Sequence, residues 1–73
     1  MPPLPVLSGR DVVKAFESFG WRVARQSSSH IIMVRDDQAV TLSIPDHKEV
    51  AKGTLRKLIR SANLTVAEFV AVL

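Results

Sequence analysis

The chain of 73 residues contains no cysteine and no tyrosine, and its aromatic residues are three phenylalanines and one tryptophan. Without cysteine, neither a disulfide nor a thiolate-bound zinc ion can reinforce the fold. So few aromatic residues cannot supply the base-stacking platform that RNA-recognition modules use. No apolar run approaches the roughly 20 residues of a membrane-spanning helix. These absences predict a small globular domain that depends on its apolar core and has no membrane segment.

Several enzyme classes are excluded by what is missing. The sequence has no carboxylate pair in a metal-ligand pattern and no glycine-rich loop of the kind that cradles phosphates. Ser29 and His30 are adjacent, but no supporting acid completes a hydrolase triad around them. We therefore expect neither a metal ion nor another cofactor.

The first seven residues contain three prolines, Pro2, Pro3 and Pro5. Each proline fixes its own backbone angle and favours extended geometry in the preceding residue. Residues 1–7 are therefore predicted to form a stiff, extended arm before a single domain of residues 8–73. Because the arm has neither a basic region nor an apolar signal core, we expect the protein to stay in the cytoplasm.

Positive charge is in excess, with ten Lys and Arg residues against seven Asp and Glu residues and a net charge of +3. The calculated isoelectric point is 10.0. This balance favours a polyanionic partner such as a nucleic acid. The alternative is an ordinary solvated surface.

Three helices are predicted from the spacing of apolar residues and from their start and stop signals. The first extends from Gly9 to about Phe19, after a capping box in which Ser8 and Asp11 participate. The second begins around Lys52 to Thr54, and the third is short. The remaining signals are Gly20 and Asn63 as stops, a Thr65/Glu68 capping box, an apolar stripe of Leu55, Leu58, Ile59 and Ala62, and apolar positions Phe69, Val70 and Leu73 in the last helix.

Between the first two helices the apolar period changes to two, which is typical of strands. Trp21 and Val23 are expected to share one face of the first strand, and the second strand is apolar on both faces. The three predicted strands are Trp21 to Gln26, His30 to Arg35, and a stretch through Val40, Leu42 and Ile44 that Pro45 ends. The fold class is therefore α+β, in the order α-β-β-β-α with a short C-terminal helix, and the three-stranded antiparallel sheet has its helices on one face.

An ordered set of short motifs runs through nearly the whole chain, from Ser8 to Phe69. The set is Ser8-Gly9, Phe19-Gly20-Trp21, Arg25-Gln26, Ser28-Ser29-His30, Ile44-Pro45 with His47, the run from Lys52 to Ile59, and Asn63-Leu64-Thr65 with Glu68-Phe69. In this order the motifs resemble those of HicA-type toxins. Members of that family usually carry Gly-Ser-His at the start of the second strand, where this chain has Ser28 in place of the glycine. Serine resists the positive φ angles that glycine accepts.

The resemblance implies a double-stranded-RNA-binding-domain-like fold and the toxin of a type II toxin–antitoxin system. It further implies an endoribonuclease that cleaves mRNA and is neutralised by a HicB-type antitoxin. Its histidine corresponds to His30, which becomes the candidate catalytic residue. The alternative for His30 is a strand-end histidine with a structural hydrogen bond.

Histidine suits RNA cleavage because an imidazole exchanges protons near neutral pH. RNA supplies its own nucleophile, the ribose 2′-hydroxyl, so we expect metal-independent cleavage that leaves a 2′,3′-cyclic phosphate and a 5′-hydroxyl. His47 is the only other histidine and is either a partner in this reaction, a phosphate contact or a solvated loop residue. Asp46 beside it is expected only to cap or turn the chain.

Cations near the start of the second helix favour phosphate binding, because helix N-termini offer free N–H groups. The candidate RNA-binding residues are Ser29, Arg25, Lys52, Lys57 and His47. The alternative for the helix cations is a solvated polar face. The residues also allow two other functions, that of a non-catalytic RNA-binding module and that of a protein-interaction module.

Overall fold

In a computed structural model, which describes residues 3–73, three helices and three strands follow one another in the predicted order. The α+β class and the α-β-β-β-α order with a short C-terminal helix are confirmed. The strands form one antiparallel sheet in the order β1-β2-β3. The elements are α1 (Gly9–Glu17), β1 (Arg22–Gln26), β2 (His30–Val34), β3 (Leu42–Pro45), α2 (Lys52–Ser61) and α3 (Val66–Val70).

Both predicted capping boxes are present. The Ser8 hydroxyl accepts from the Asp11 N–H at 3.1 Å, and the Asp11 carboxylate accepts from the Ser8 N–H at 3.2 Å. Thr65 and Glu68 form the same reciprocal pair, at 3.1 and 2.8 Å, and start α3. Each box satisfies two of the N–H groups that a helix start leaves without a partner.

The two predicted helix stops, Gly20 and Asn63, are also confirmed. Gly20 has a φ of 90° in the turn after α1, and Asn63 has a φ of 62° after α2. Both values lie in the left-handed region, which glycine and asparagine enter more readily than other residues.

The core lies between the helices and one face of the sheet. Phe16 is at its centre, with ring centroids 5.2 Å from Phe69 and 6.5 Å from Trp21. The other side of the sheet carries no helix, so residues of β2 are alternately buried and more exposed. The predicted stripe of α2 is entirely buried. The buried apolar residues are Leu4, Val12, Ala15, Phe16, Trp21, Ile31, Met33, Leu42, Ile44, Val50, Leu55, Leu58, Ile59, Ala62 and Phe69.

The prediction for β1 is wrong in part. Trp21 precedes the strand, which begins at Arg22, and is buried. Val23 pairs with buried Met33 and so lies on the helix-covered side, as Trp21 does, but it is 42% exposed. A bulge between Val23 and Arg25 interrupts the pairing with β2 and reverses the alternation beyond it. Arg25 therefore faces the helix-free side of the sheet, where a regular strand would have turned it towards the helices.

The remaining differences lie at the ends of elements. The first helix ends at Glu17 and the second strand at Val34, each before the predicted end. Val40 is 45% exposed and precedes β3, because the pairing of β3 with β2 begins at Leu42 opposite Met33. Leu73 lies beyond the end of α3 and is 52% exposed.

The segment before α1 packs against the domain. Leu4 is buried in the core, and the Leu7 carbonyl oxygen accepts a 2.8 Å hydrogen bond from the Val50 N–H. Met1 and Pro2 of the predicted arm lie outside the described residues. Across residues 3–73, no helix combines the length and the apolar character needed to cross a membrane.

Candidate functional site

The topology gathers most of the predicted site residues at one end of the sheet, where β1 and β3 end and β2 begins with His30. We call this the His30 end. The α1 N-terminus meets it, because the Gly9 N–H donates a 2.9 Å hydrogen bond to the His47 carbonyl oxygen. The chain then runs from His47 to Lys52, where α2 starts. The His30 end therefore combines the α1 N-terminus with three strand ends, and the loop that leaves it leads to the α2 N-terminus.

Ser29 and His30 lie in the hairpin between β1 and β2. The Ser27 N–H donates to the His30 carbonyl oxygen at 2.9 Å, and this bond closes a loop of two residues, Ser28 and Ser29. The Ser27 hydroxyl also donates to the His30 carbonyl, at 3.3 Å. The imidazole of His30 is exposed, and its Nδ1 lies 3.0 Å from the Ser29 hydroxyl oxygen. The hairpin thus presents an imidazole whose second nitrogen is free of the Ser29 contact.

Serine fits the position where the family usually has glycine. Among residues 3–73, Asn63 is the only non-glycine residue with a positive φ, so Ser28 has an ordinary backbone conformation. The side chain of Ser28 is exposed. The loop geometry at this position does not require glycine, and the serine introduces no left-handed strain.

Asp46 connects the hairpin to two other elements. Its N–H donates to the Ser29 carbonyl oxygen at 2.9 Å, and its carboxylate accepts from the Gln26 amide nitrogen at 3.0 Å. The same carboxylate is 3.7 Å from the Arg10 guanidinium, and the Asp46 side chain is only 22% exposed. The sequence predicted that Asp46 only caps or turns the chain. These contacts show that it also connects the hairpin to β1 and α1. No sequence pattern marked Arg10 or this contact.

Gly9 brings α1 to the same place by close approach. A Cβ atom at Gly9 would overlap the Pro45 carbonyl oxygen and would lie 3.0 Å from the Asp46 Cα. Only a residue without a side chain allows the first turn of α1 to lie against the end of β3. Packing at the back of the site thus explains this glycine.

Arg25 shares a face of the sheet with His30. By alternation along β2, His30 lies on the side opposite buried Ile31, together with Ile32. Because of the bulge, Arg25 is the residue paired with Ile32. The hairpin therefore places Arg25 and His30 on the same helix-free face.

Lys52 and Lys57 lie on α2. The residue before the helix, Ala51, provides no side-chain cap, and the first turn contains no acidic residue. A Cβ at Gly53 would meet no atom within 4 Å, and Gly53 has no left-handed φ. Neither conformation nor packing explains this glycine, so the uncapped helix start is open to an incoming group.

His47 is exposed in the loop after β3. Its carbonyl accepts from Gly9, and its neighbour Asp46 bonds to Ser29, so the loop does fold back towards the start of β2. The part of the chain that the structure describes contains no hydrogen bond to the His47 ring. The described contacts therefore leave its side chain without a defined role.

Electrostatics favour the binding of an anion near Arg25 and along the exposed side of α2. The ion pairs of residues 3–73 are Arg10–Asp46, Arg22–Asp36 and Arg35–Asp37. Arg25 and the exposed cations of α2 belong to none of these pairs. Over the same residues, no group of three His, Cys, Asp or Glu side chains is arranged to hold a metal ion.

Most of the chain matches a known protein family. The family model of the HicA toxin of bacterial toxin–antitoxin systems matches residues 9–64, which include α1, the whole sheet and α2. No curated protein and no solved structure matches the chain.

Proposed function

The chain belongs to the HicA family of bacterial toxins, and on that basis we propose that it is an endoribonuclease that cleaves mRNA in the cytoplasm through His30. The observation that carries the proposal is the exposed imidazole of His30 at the end of the sheet, on the same face as Arg25, which belongs to no ion pair of the described residues. A rigid strand end that presents one acid–base group to solvent is suited to catalysis on a large, accessible polymer.

The proposed reaction is transesterification within RNA. His30 removes the proton of a ribose 2′-hydroxyl, and the 2′-oxygen forms a bond to the adjacent phosphorus. The bond from phosphorus to the 5′-oxygen breaks, and that oxygen receives a proton from an imidazolium or from water. The products are a 2′,3′-cyclic phosphate and a 5′-hydroxyl. One positioned acid–base group typically accelerates such a step by about 10²–10⁴-fold.

We propose that α2 and β1 hold the phosphates on either side of the cleaved bond. The uncapped N–H groups at the start of α2 point along the helix axis, and Gly53 permits a phosphate to approach them. Lys52 and Lys57 add positive charge there, and Arg25 adds it on the face of His30. His47 adjoins the same path. Such contacts bind the sugar–phosphate backbone of the RNA and provide affinity without recognising the bases.

Membership of the family makes the protein the toxin of a toxin–antitoxin system, with an antitoxin as its partner. We propose that this antitoxin is of the HicB type and covers both the His30 end and the N-terminus of α2. An acidic surface on the antitoxin would compete there with RNA for the same unpaired cations. A structure of the toxin–antitoxin complex with His30 open to solvent would contradict this placement.

The experiment that tests the proposal is induced expression of the wild type, His30→Ala and His47→Ala in bacteria. Growth and the integrity of a reporter mRNA are followed, and purified RNA is then treated with each purified protein. We expect growth arrest and cleavage with the wild type and neither with His30→Ala. The His47→Ala variant separates a partner role from a solvated loop histidine.

The control is the thermal transition of each purified protein. His30 is exposed and lies outside the core, so His30→Ala should unfold at nearly the wild-type temperature. Loss of toxicity together with loss of the folded state would make His30 a structural residue. Normal growth and intact RNA with folded wild-type protein would instead favour a non-catalytic RNA-binding or protein-interaction module.

A further inference from the structure

The contact between Ser29 and His30 has a geometry suited to orienting a catalytic imidazole. The Ser29 hydroxyl oxygen lies 3.0 Å from Nδ1 of His30, within hydrogen-bond distance for a side-chain pair. An imidazole that makes one such bond with Nδ1 turns Nε2 in the opposite direction, because the two nitrogens lie on different sides of the ring.

The backbone on which this contact depends is fixed from both sides. The Ser29 carbonyl oxygen accepts from the Asp46 N–H at 2.9 Å, and the His30 carbonyl oxygen accepts from Ser27. The Asp46 carboxylate is held in turn by Gln26 and Arg10. The serine hydroxyl is therefore offered to the imidazole from an anchored loop.

We infer that Ser29 is a positioning residue, which accepts a hydrogen bond from Nδ1–H of His30 and leaves Nε2 as the nitrogen that exchanges protons with RNA. The inference rests on the proposed ribonuclease function for its consequence, but the hydrogen bond can be measured without it. It gives Ser29 a role different from the RNA contact that the sequence predicts.

The direction of the hydrogen bond follows from the proton cycle of a catalytic histidine. Both nitrogens carry a proton in the imidazolium, so a hydroxyl that accepts from Nδ1–H keeps its bond when Nε2 gains or loses a proton. A hydroxyl that donated to Nδ1 would have to rotate and accept instead whenever that nitrogen became protonated. Only the accepting arrangement keeps the same hydrogen bond throughout the cycle.

The test compares the wild type with Ser29→Ala, Ser29→Thr and Ser28→Ala. Ser28 is a matched control, because it is the neighbouring exposed serine and its hydroxyl makes no hydrogen bond within the described residues. The first measurement is the ¹⁵N chemical shifts of the histidine rings, which distinguish the two neutral tautomers. We expect His30 of the wild type to be mainly the Nδ1–H form, and Ser29→Ala to shift it towards the Nε2–H form. His47 in the same spectra is an internal reference and should not change.

The second measurement is the rate of cleavage of an RNA oligonucleotide. Loss of one neutral hydrogen bond should lower kcat of Ser29→Ala about three- to tenfold, with KM changed less than about twofold. Ser29→Thr restores the hydroxyl and should recover most of kcat, and Ser28→Ala should match the wild type.

Two results would overturn the inference. Equal His30 tautomer populations in the wild type and Ser29→Ala would show that the serine does not hold the ring. A rise in KM of Ser29→Ala with unchanged kcat would make Ser29 an RNA contact instead. Absence of cleavage by the wild type would defeat the proposed function alone, and the tautomer measurement would still decide the role of Ser29.

Discussion

Gly9, the first residue of α1, lies against the end of β3 so closely that a Cβ atom there would overlap the carbonyl oxygen of Pro45. The neighbouring Gly9 N–H bonds to the His47 carbonyl, so the contact is part of a defined junction. The junction lies directly behind the loop that holds His30. Its geometry leads to the first of four predictions.

Gly9→Ala should destabilise the protein by about 1–3 kcal/mol, because the added methyl group must displace backbone atoms. The matched control is Gly53→Ala, where a Cβ meets open space and the free energy of unfolding should stay constant or rise by up to about 1 kcal/mol. Urea unfolding of the three proteins measures both effects. Equal stability of Gly9→Ala and the wild type would show that the junction can relax at no cost.

Asp46→Asn should slow RNA cleavage clearly, although it should lower the free energy of unfolding only modestly. The substitution weakens the hold of residue 46 on Gln26 and Arg10 but leaves its N–H bonded to Ser29. The Asp46 side chain is partly buried but keeps contact with solvent, so we expect a loss of about 0.5–1.5 kcal/mol in the free energy of unfolding.

The control for Asp46→Asn is Asp36→Asn. Asp36 also pairs with an arginine, Arg22, but at the opposite end of the sheet, and its side chain is 87% exposed. Cleavage rates and urea unfolding should show little change for Asp36→Asn. A similar loss of cleavage in both variants would point to overall charge and not to the support of the His30 loop.

Replacing both Lys52 and Lys57 by glutamate should weaken RNA binding at least tenfold and make binding less dependent on salt. Each lysine that contacts a phosphate releases a counterion, so the slope of log affinity against log salt should fall by about two. Fluorescence anisotropy with an RNA oligonucleotide and catalytically inactive His30→Ala protein measures this. The control is Lys14→Glu on α1, which should lower affinity only slightly, and equal losses for the two would contradict a phosphate site on α2.

Ser28→Gly, which introduces the residue usual in the family, should leave cleavage unchanged. Ser28 already has an ordinary φ, so glycine relieves no strain. It should lower the free energy of unfolding by about 0.4–1 kcal/mol, because glycine gives the unfolded chain more conformational freedom. A marked gain in cleavage would show that the loop needs a conformation closed to serine during the reaction.

The sequence by itself determined the features whose physical cause is local. A capping box joins residues three apart, so Ser8 with Asp11 and Thr65 with Glu68 were sufficient to predict two helix starts. The left-handed turn at Gly20 and the buried stripe of α2 follow in the same way from residue type and periodicity. The ordered motifs indicated the family, and through it His30.

Only the tertiary structure decided what surrounds His30. The bulge in β1 reverses the side on which Arg25 lies, and no residue there announces it, because a bulge depends on pairing with β2. Asp46 meets Gln26 and Arg10, and Gly9 meets Pro45, across separations at which hydrophobic periodicity carries no information. These contacts arise because packing the helices on one face of the sheet brings distant chain segments to the same end, and that arrangement exists only after folding.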